Sequence, residues 1–261
     1  MTESLNKLEK ERYQRAILEI GEDFQGKLKE KTVLQVGAGG LGSPLSLYLV
    51  ASGVGNLIIF ENDFLDLSNL GRQIIYDSNG LGKSKAKLAK ERLNALNPNV
   101  NASIIEDRLT KENAHKYMED IDYLVDASDN FDTKYLINDL ALKYNIKCTI
   151  AGIQGFDGQI VSVIPHKTAC YRCCFGEPND PKYLKSEREQ DQKDVKDKPL
   201  PIMAPTCGVV GSLEANEVLK GLLNMGKPIT NGILMISLRD SGFSKVPIKI
   251  NPNCFCQKFS K

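Results

Sequence analysis

The run TVLQV (32–36) leads without a break into GAGGLG (37–42). The first is a short apolar strand rich in β-branched residues, and the second is a glycine turn. Ser43 and Pro44 follow; serine suits a helix N-cap and proline the first helical position. The predicted helix runs through LSLYLVASG and stops near Gly53, and LIIF (57–60) is the next strand, ending at Glu61. Strand, glycine turn, helix and strand make one βαβ unit, which commits the chain to a parallel sheet.

The rest of the chain keeps that alternation. Strands are predicted at 101–105, 122–126, 146–151 and 159–164, and helices at 84–96, 111–118 and 131–144, with Asn97-Pro98 ending the first. The pattern predicts an α/β, Rossmann-like, doubly wound and mostly parallel sheet. After it come a helix over 209–223 and strands near 232–238 and 245–250, expected to continue the sheet in antiparallel sense. Residues 4–20 read as an amphipathic N-terminal helix, and 177–200, densely charged and without apolar period, as a mobile crossover loop. The expected organisation is a single domain over 1–261: an N-terminal helical part (1–25), a nucleotide-binding half (27–150) and a second half (151–261). No internal repeat is visible.

Gly37, Gly39 and Gly42 fit the G-x-G-x-x-G fingerprint, in which a phosphate meets bare backbone at a helix N-terminus. Glu61, at the end of the second strand, is placed to accept from both ribose hydroxyls. A redox dinucleotide would use the same frame. Arg72, which precedes Gln73 at the end of its motif, and Lys83 and Lys85 argue instead for a triphosphate, whose departing pyrophosphate needs cations. Gly82-Lys83-Ser84 is not a P-loop, because Asp77 stands where the leading glycine belongs. Asp126 and Asp129 fall at the carboxyl edge of the sheet, where a carboxylate can hold Mg²⁺; Asp129 also reads as a possible N-cap of the helix from Phe131.

At these residues the chain resembles the MoeB/ThiF/HesA family, bacterial relatives of the ubiquitin-activating enzymes. The resemblance covers nearly the whole chain: RYQR (12–15), GAGGLGS (37–43), LSNLGRQ (67–73), the GLGKSK lysines, DASDN (126–130), GQIVSVI (158–164), CYRC (170–173), MAPTCGVVGSLEANEVLK (203–220) and NPNCFC (251–256). It implies ATP-dependent adenylation of the C-terminal glycine carboxylate of a small ubiquitin-like sulfur-carrier protein ending in Gly-Gly. The pathways implied are molybdopterin, thiamine or related biosynthesis. By motif position, Gly40 meets ATP phosphate, Glu61 the ribose, and Asn69, Arg72 and Lys85 the triphosphate, while Asp129 organises Mg²⁺. Arg15 matches an arginine that the family supplies from the partner subunit of a homodimer. The chemistry suits these residue types, since an ionised carboxylate needs no general base and the protein has only to position it and offset charge.

Seven cysteines remain to be placed. Cys148 lies in an apolar strand and reads as core. Cys170-x-x-Cys173 is half of a tetrahedral zinc site. The family's second half is C-x-x-C; here it is Cys254-Phe-Cys256, one residue shorter, so Cys174 is an alternative ligand and four free thiols the alternative state. Many activating enzymes carry a reactive cysteine in the crossover loop, near the position of Asp197, but 177–200 contains none. Cys207 is the only lone cysteine nearby. It reads either as a thiolate activated at a helix N-terminus or as a small buried residue under the nucleotide. The expectation is an enzyme that stops at the acyl-adenylate and leaves sulfur delivery to a separate sulfurtransferase, since no such domain follows Cys256.

Composition removes other classes. Lysine plus arginine number 34 against 33 acids, a net charge of +1, which does not suit a general nucleic-acid binder. No apolar run reaches the roughly 20 residues of a membrane helix, and the charged N-terminus lacks a signal-peptide core, so the chain is expected in the cytoplasm. With only His115 and His166, a histidine-based triad is not expected. The rival readings are adenylation of a peptide or modified-tRNA carboxylate at the same site, an NAD(P)-dependent oxidoreductase, and a non-catalytic carrier-binding scaffold.

Overall fold

Residues on both sides of the strand that precedes the glycine turn are withdrawn from solvent: Val33 and Leu34 are each wholly buried. A strand covered on both faces needs a layer of helices above and below it, and the computed structural model, which describes residues 4–178 and 200–259, has that arrangement. Eight strands form one sheet in the order β3-β2-β1-β4-β5-β6-β7-β8. They are β1 (Thr32–Val36), β2 (Asn56–Phe60), β3 (Asn101–Ile105), β4 (Tyr123–Asp126), β5 (Lys147–Gln154), β6 (Asp157–Val163), β7 (Gly232–Ser237) and β8 (Gly242–Pro247). The first five are parallel, and β6, β7 and β8 are added antiparallel. The chain moves outward from β1 to β3 and then returns to lay β4 on the other side of β1. This reversal opens a crevice at the carboxyl ends of β1 and β4, the usual ligand position in such sheets.

Two helices fix one face. Among the described residues the α-helices are α1 (Lys7–Arg12), α2 (Gln14–Ile20), α3 (Glu22–Lys29), α4 (Gly42–Ala51), α5 (Lys85–Leu96), α6 (Phe131–Tyr144), α7 (Tyr171–Phe175) and α8 (Ala204–Leu223). On one face Leu45 and Leu49 of α4 and Val210 and Val218 of α8 pack over Val33, Leu57 and Val125. On the other, Ile137 and Ala141 of α6 and Tyr171 of α7 pack over Leu34, Leu124 and Val161. α8 lies directly on α4: a Cβ added at Gly211 would stand 2.6 Å from Leu41 O.

Several predicted elements differ. The single N-terminal helix over 4–20 is two helices, because Tyr13 leaves the helical course and turns inward, its hydroxyl accepting from Asn97 Nδ2 at 2.8 Å. A third helix, α3, follows Gly21 at φ 84°. The helix at 111–118 shrinks to one 3₁₀ turn, Ala114–Lys116. Asn113 Oδ1 accepts from the Thr110 N–H at 2.8 Å and offers the backbone a local alternative. Ser43 is not an N-cap; it lies inside α4 and its Oγ donates to Gly39 O. α8 begins five residues before the expected 209, with a proline in its first turn where no N–H partner is needed. β8 begins at 242 rather than 245, after a turn through Ser241 at φ 53°. The crossover loop lies almost wholly outside the described residues, as does Asp197.

Candidate active site

The glycine turn is built by contacts that exclude side chains. Gly37 has φ 91°, and a Cβ there would come within 2.9 Å of Ala127 O, just past the end of β4. A Cβ at Gly42 would overlap Gly37 O at 2.2 Å, so the turn folds back on itself as α4 begins. At Gly40 the near neighbours are Cys207 Sγ, 2.8 Å from the added Cβ, and Arg72 Cδ at 3.7 Å. At Gly39 the neighbour is Gln73 Nε2 at 3.6 Å. Gly37 and Gly42 are thus needed for packing, whereas Gly39 stays open to a ligand.

Glu61, buried at the end of β2, closes the turn from one side. Its Oε2 accepts from the Ala38 N–H and its Oε1 from the Asp63 N–H, both at 2.9 Å. Each oxygen keeps capacity for a further donor. Tyr76 donates its hydroxyl hydrogen to Ala38 O at 2.9 Å; burial, with Glu61 and Asp63 nearby, pushes its ionisation well above the ordinary tyrosine range.

The cations come from two short elements. Asp66 caps the 3₁₀ turn Leu67–Asn69, accepting from the Ser68 N–H, and Asn69 Oδ1 accepts in return from the Asp66 N–H. This turn presents Arg72, whose Nη1 donates to Ser68 O at 3.1 Å, and Gln73, which is buried with its Oε1 unmatched among the described residues. Lys85 opens α5 and is 4% exposed, with its Nζ 3.3 Å from Asp63 Oδ2. Asp63 is itself largely exposed.

The two aspartates after β4 separate. Asp126 is fully buried: its Oδ2 accepts from Lys134 Nζ at 2.7 Å and its Oδ1 from Ser128 Oγ at 2.6 Å. Burial raises its pKa against the opposing pull of Lys134. Lys134 also donates to Ser128 O and Ala151 O, so the pair braces β4, β5 and α6. Asp129 is exposed, and it does not cap α6: Asn130 does, accepting from the Thr133 N–H at 2.9 Å. Arg15 is exposed on α2, without an ion pair among the described residues.

Cys207 sits within the first turns of α8, not before it, and is 1% exposed. Burial raises its thiol pKa more than Arg72 lowers it, which favours the small buried residue over the activated thiolate. The other cysteines converge. Sγ–Sγ separations are 3.8 Å for Cys170–Cys173, 3.6 Å for Cys170–Cys254 and 3.8 Å for Cys173–Cys256, and all four sulfurs lie within 4.8 Å of one another. Four sulfurs about 2.3 Å from one tetrahedral ion stand about 3.8 Å apart, so the shortened C-x-C pair fits the set. Cys174 is not in this group. Arg172 locks the cluster in place, pairing with Asp139 at 2.7 Å and lying over the Phe255 ring at 4.9 Å.

The ThiF family matches residues 13–257. The chain belongs to that family. Similar proteins include the sulfur carrier protein adenylyltransferase of Thermus thermophilus, 41% identical over 95% of this chain and 90% of that protein. The SAMP-activating enzyme E1 of Haloferax volcanii is 37% identical over 97% and 91%. Among solved structures, MccB of E. coli superposes with a TM-score of 0.80 at 25% identity, covering 97% of this chain and 73% of that one.

For this ThiF-family chain, Gly40, Arg72, Gln73 and Cys207 come together at the turn, and Glu61 and Lys85 flank it through Asp63. Reading the sequence missed Asp63, Tyr76 and Lys134 as partners. Asp63 lies two positions past Glu61 and was legible as a strand-end acid; nothing in the sequence pairs Lys134 with Asp126, because that contact depends on how α6 docks.

Proposed function

We propose that the chain is an ATP-dependent adenylyltransferase acting on the C-terminal glycine carboxylate of a small ubiquitin-like sulfur carrier. The observation that carries this reading is the bare turn at the β1/β4 crevice, bordered by Glu61, Arg72 and Lys85. Phosphates would meet the backbone at Gly39 and Gly40, and the ribose hydroxyls would use the remaining capacity of Glu61. The carrier carboxylate attacks the α-phosphorus, the bond to the bridging oxygen breaks, and pyrophosphate leaves with its charge offset by Arg72 and Lys85. ATP would draw Lys85 from the exposed carboxylate of Asp63. Exposed Asp129 is the residue for Mg²⁺; Asp126, committed to Lys134, is not. Arg15, exposed on α2, suits donation to the site of a second copy in a homodimer. Cys170, Cys173, Cys254 and Cys256 would hold a structural Zn²⁺. The name of the Thermus thermophilus relative, a sulfur carrier protein adenylyltransferase, supports this substrate class.

The test is ATP–pyrophosphate exchange with purified partners. Exchange should require a Gly-Gly carrier, and Asp129→Ala should lower it at least about 100-fold, the scale of losing a preorganised electrostatic contact, with thermal stability unchanged. Exchange driven instead by a short peptide or a modified tRNA would refute the carrier assignment.

A further inference from the structure

Two buried side chains in the layer between the sheet and α8 carry oxygens that have no hydrogen-bond donor among the described residues. Glu214 on α8 is fully buried, and neither carboxylate oxygen has a hydrogen-bond partner among the described residues. Gln35 on β1 is fully buried too, and its Oε1 is likewise unmatched. Its Nε2 is in use, donating to Gly37 O at 2.8 Å and to Gly42 O at 3.2 Å, the two ends of the glycine turn. α8 rests where that bond is made, since Gly211, three residues before Glu214, lies against Leu41 O and Pro44 at the start of α4.

We propose that Glu214 is a positioning residue for the glycine turn: present as a neutral carboxylic acid, it donates its proton to Gln35 Oε1, and Gln35 in turn holds both ends of the turn. A buried acceptor needs a donor, and an un-ionised carboxyl supplies one. Among the described residues no cation is hydrogen-bonded to or paired with Glu214. Lys134, whose charge acts on Glu214, already spends its hydrogens on Asp126, Ser128 O and Ala151 O. α4 offers only the exposed Tyr48, and β4 offers Asp126, a like charge, and Tyr123, whose hydroxyl is bonded to Thr149. On β5, Lys147 is bonded to Gly221 O and Asn224, and Cys148 is buried; β6 brings only Asp157, at its exposed end. α3, with Glu22, Asp23, Lys27 and Lys29, meets α8 as well; Lys29 is paired with Glu9. Within α8, Glu217 is bonded to Ser162 and paired with Lys220. Burial and the Asp126 charge both raise the carboxyl well above the ordinary 4.5.

Only the expected effect on nucleotide binding rests on the function proposed above; the other two measurements do not. Glu214→Gln keeps size and a donor, so it should fold and bind ATP within about threefold of the original. Glu214→Leu leaves Gln35 Oε1 buried and unmatched and should weaken ATP binding about tenfold, and adding Gln35→Leu should recover much of the lost stability. The Glu214→Leu and Gln35→Leu pair tests the contact, and the pH profile tests the protonation state. A folded-state pKa above the unfolded value means that the folded protein loses relative stability as pH rises past 4.5. The unfolding constant of the original should therefore gain on that of Glu214→Gln by up to tenfold per pH unit, until the buried acid releases its proton. Infrared difference spectra of the pair should show one protonated carboxyl band at neutral pH. Parallel stability profiles without that band, or Glu214→Gln as damaging as Glu214→Leu, would overturn the proposal. If neither variant binds ATP and the original does not either, the function fails while the carboxyl assignment is still decided by the band.

Discussion

Cys207 shows how little a residue type says until its surroundings are known. Its place at the start of a helix suggests an acidic thiol, since N-terminal backbone N–H groups favour an anion. Burial outweighs that effect: Sγ is packed under Gly40 beside Arg72, and the net direction is upward. Its contact with Gly40 instead fixes which residue can stand in the turn. Cys207→Ala should leave exchange activity within about threefold, and Cys207 in the original should react with iodoacetamide near pH 8 more slowly than free cysteine, whose pKa is about 8.5. A tenfold loss of exchange in a folded Cys207→Ala variant would place the thiol in the reaction. Gly37 and Gly42 were legible as residues, because only glycine fits their contacts. The exposed and buried fates of Asp129 and Asp126 were not, because they turn on one lysine eight positions away.

Elements with strong local signals came out close to expectation. α6 occupies 131–144, and β3 occupies 101–105, as read. α5 differs by one residue from its predicted start, with Ser84 as its N-cap. The elements that moved are those whose limits depend on tertiary contact: Tyr13 splits the N-terminal helix by docking on Asn97 and Gly53, and α8 starts early because its first turn seats on the Met203–Gly155 pairing. The brace across β4, β5 and α6 gives a prediction of its own. Lys134→Ala leaves the Asp126 carboxylate buried without its cation, which should cost about 3–5 kcal/mol at neutral pH. The sign with pH follows: without Lys134 the folded-state pKa of Asp126 lies further above the ordinary 3.8, so the loss should grow as pH rises from that value and shrink toward it. Urea midpoints at several pH values would check this; a loss that is the same at every pH would mean that the bonds to Ser128 O and Ala151 O, not the charge, dominate.

At the scale of the whole molecule, the two halves of the sheet meet at β5, where parallel gives way to antiparallel, and the sulfur cluster ties the 170s to the 250s across α8, β7 and β8. Among the described residues no helix is long and apolar enough to cross a membrane. Protein purified without chelator should carry one zinc per chain and release it with a loss of thermal stability when Cys254→Ser or Cys256→Ser is introduced; a metal-free protein of equal stability would rule out the tetrathiolate. The fold class was legible because strand and helix periods repeat along the chain. The cluster's completeness was not, because the spacing of Cys254 and Cys256 departs from the family's and only the assembled geometry shows that both sulfurs reach.

Cys170 and Cys173 reach the ribosome exit well before their mates, since 81 positions (254 − 173) separate Cys173 from Cys254. At about 5–20 residues per second, that is a wait of several seconds to about a quarter of a minute. Throughout it the first thiol pair has no companion to share an ion with, so newborn chains are most open to oxidants and stray metals in that interval. Oxidative stress should therefore harm fresh synthesis of this protein sooner than it harms copies already assembled.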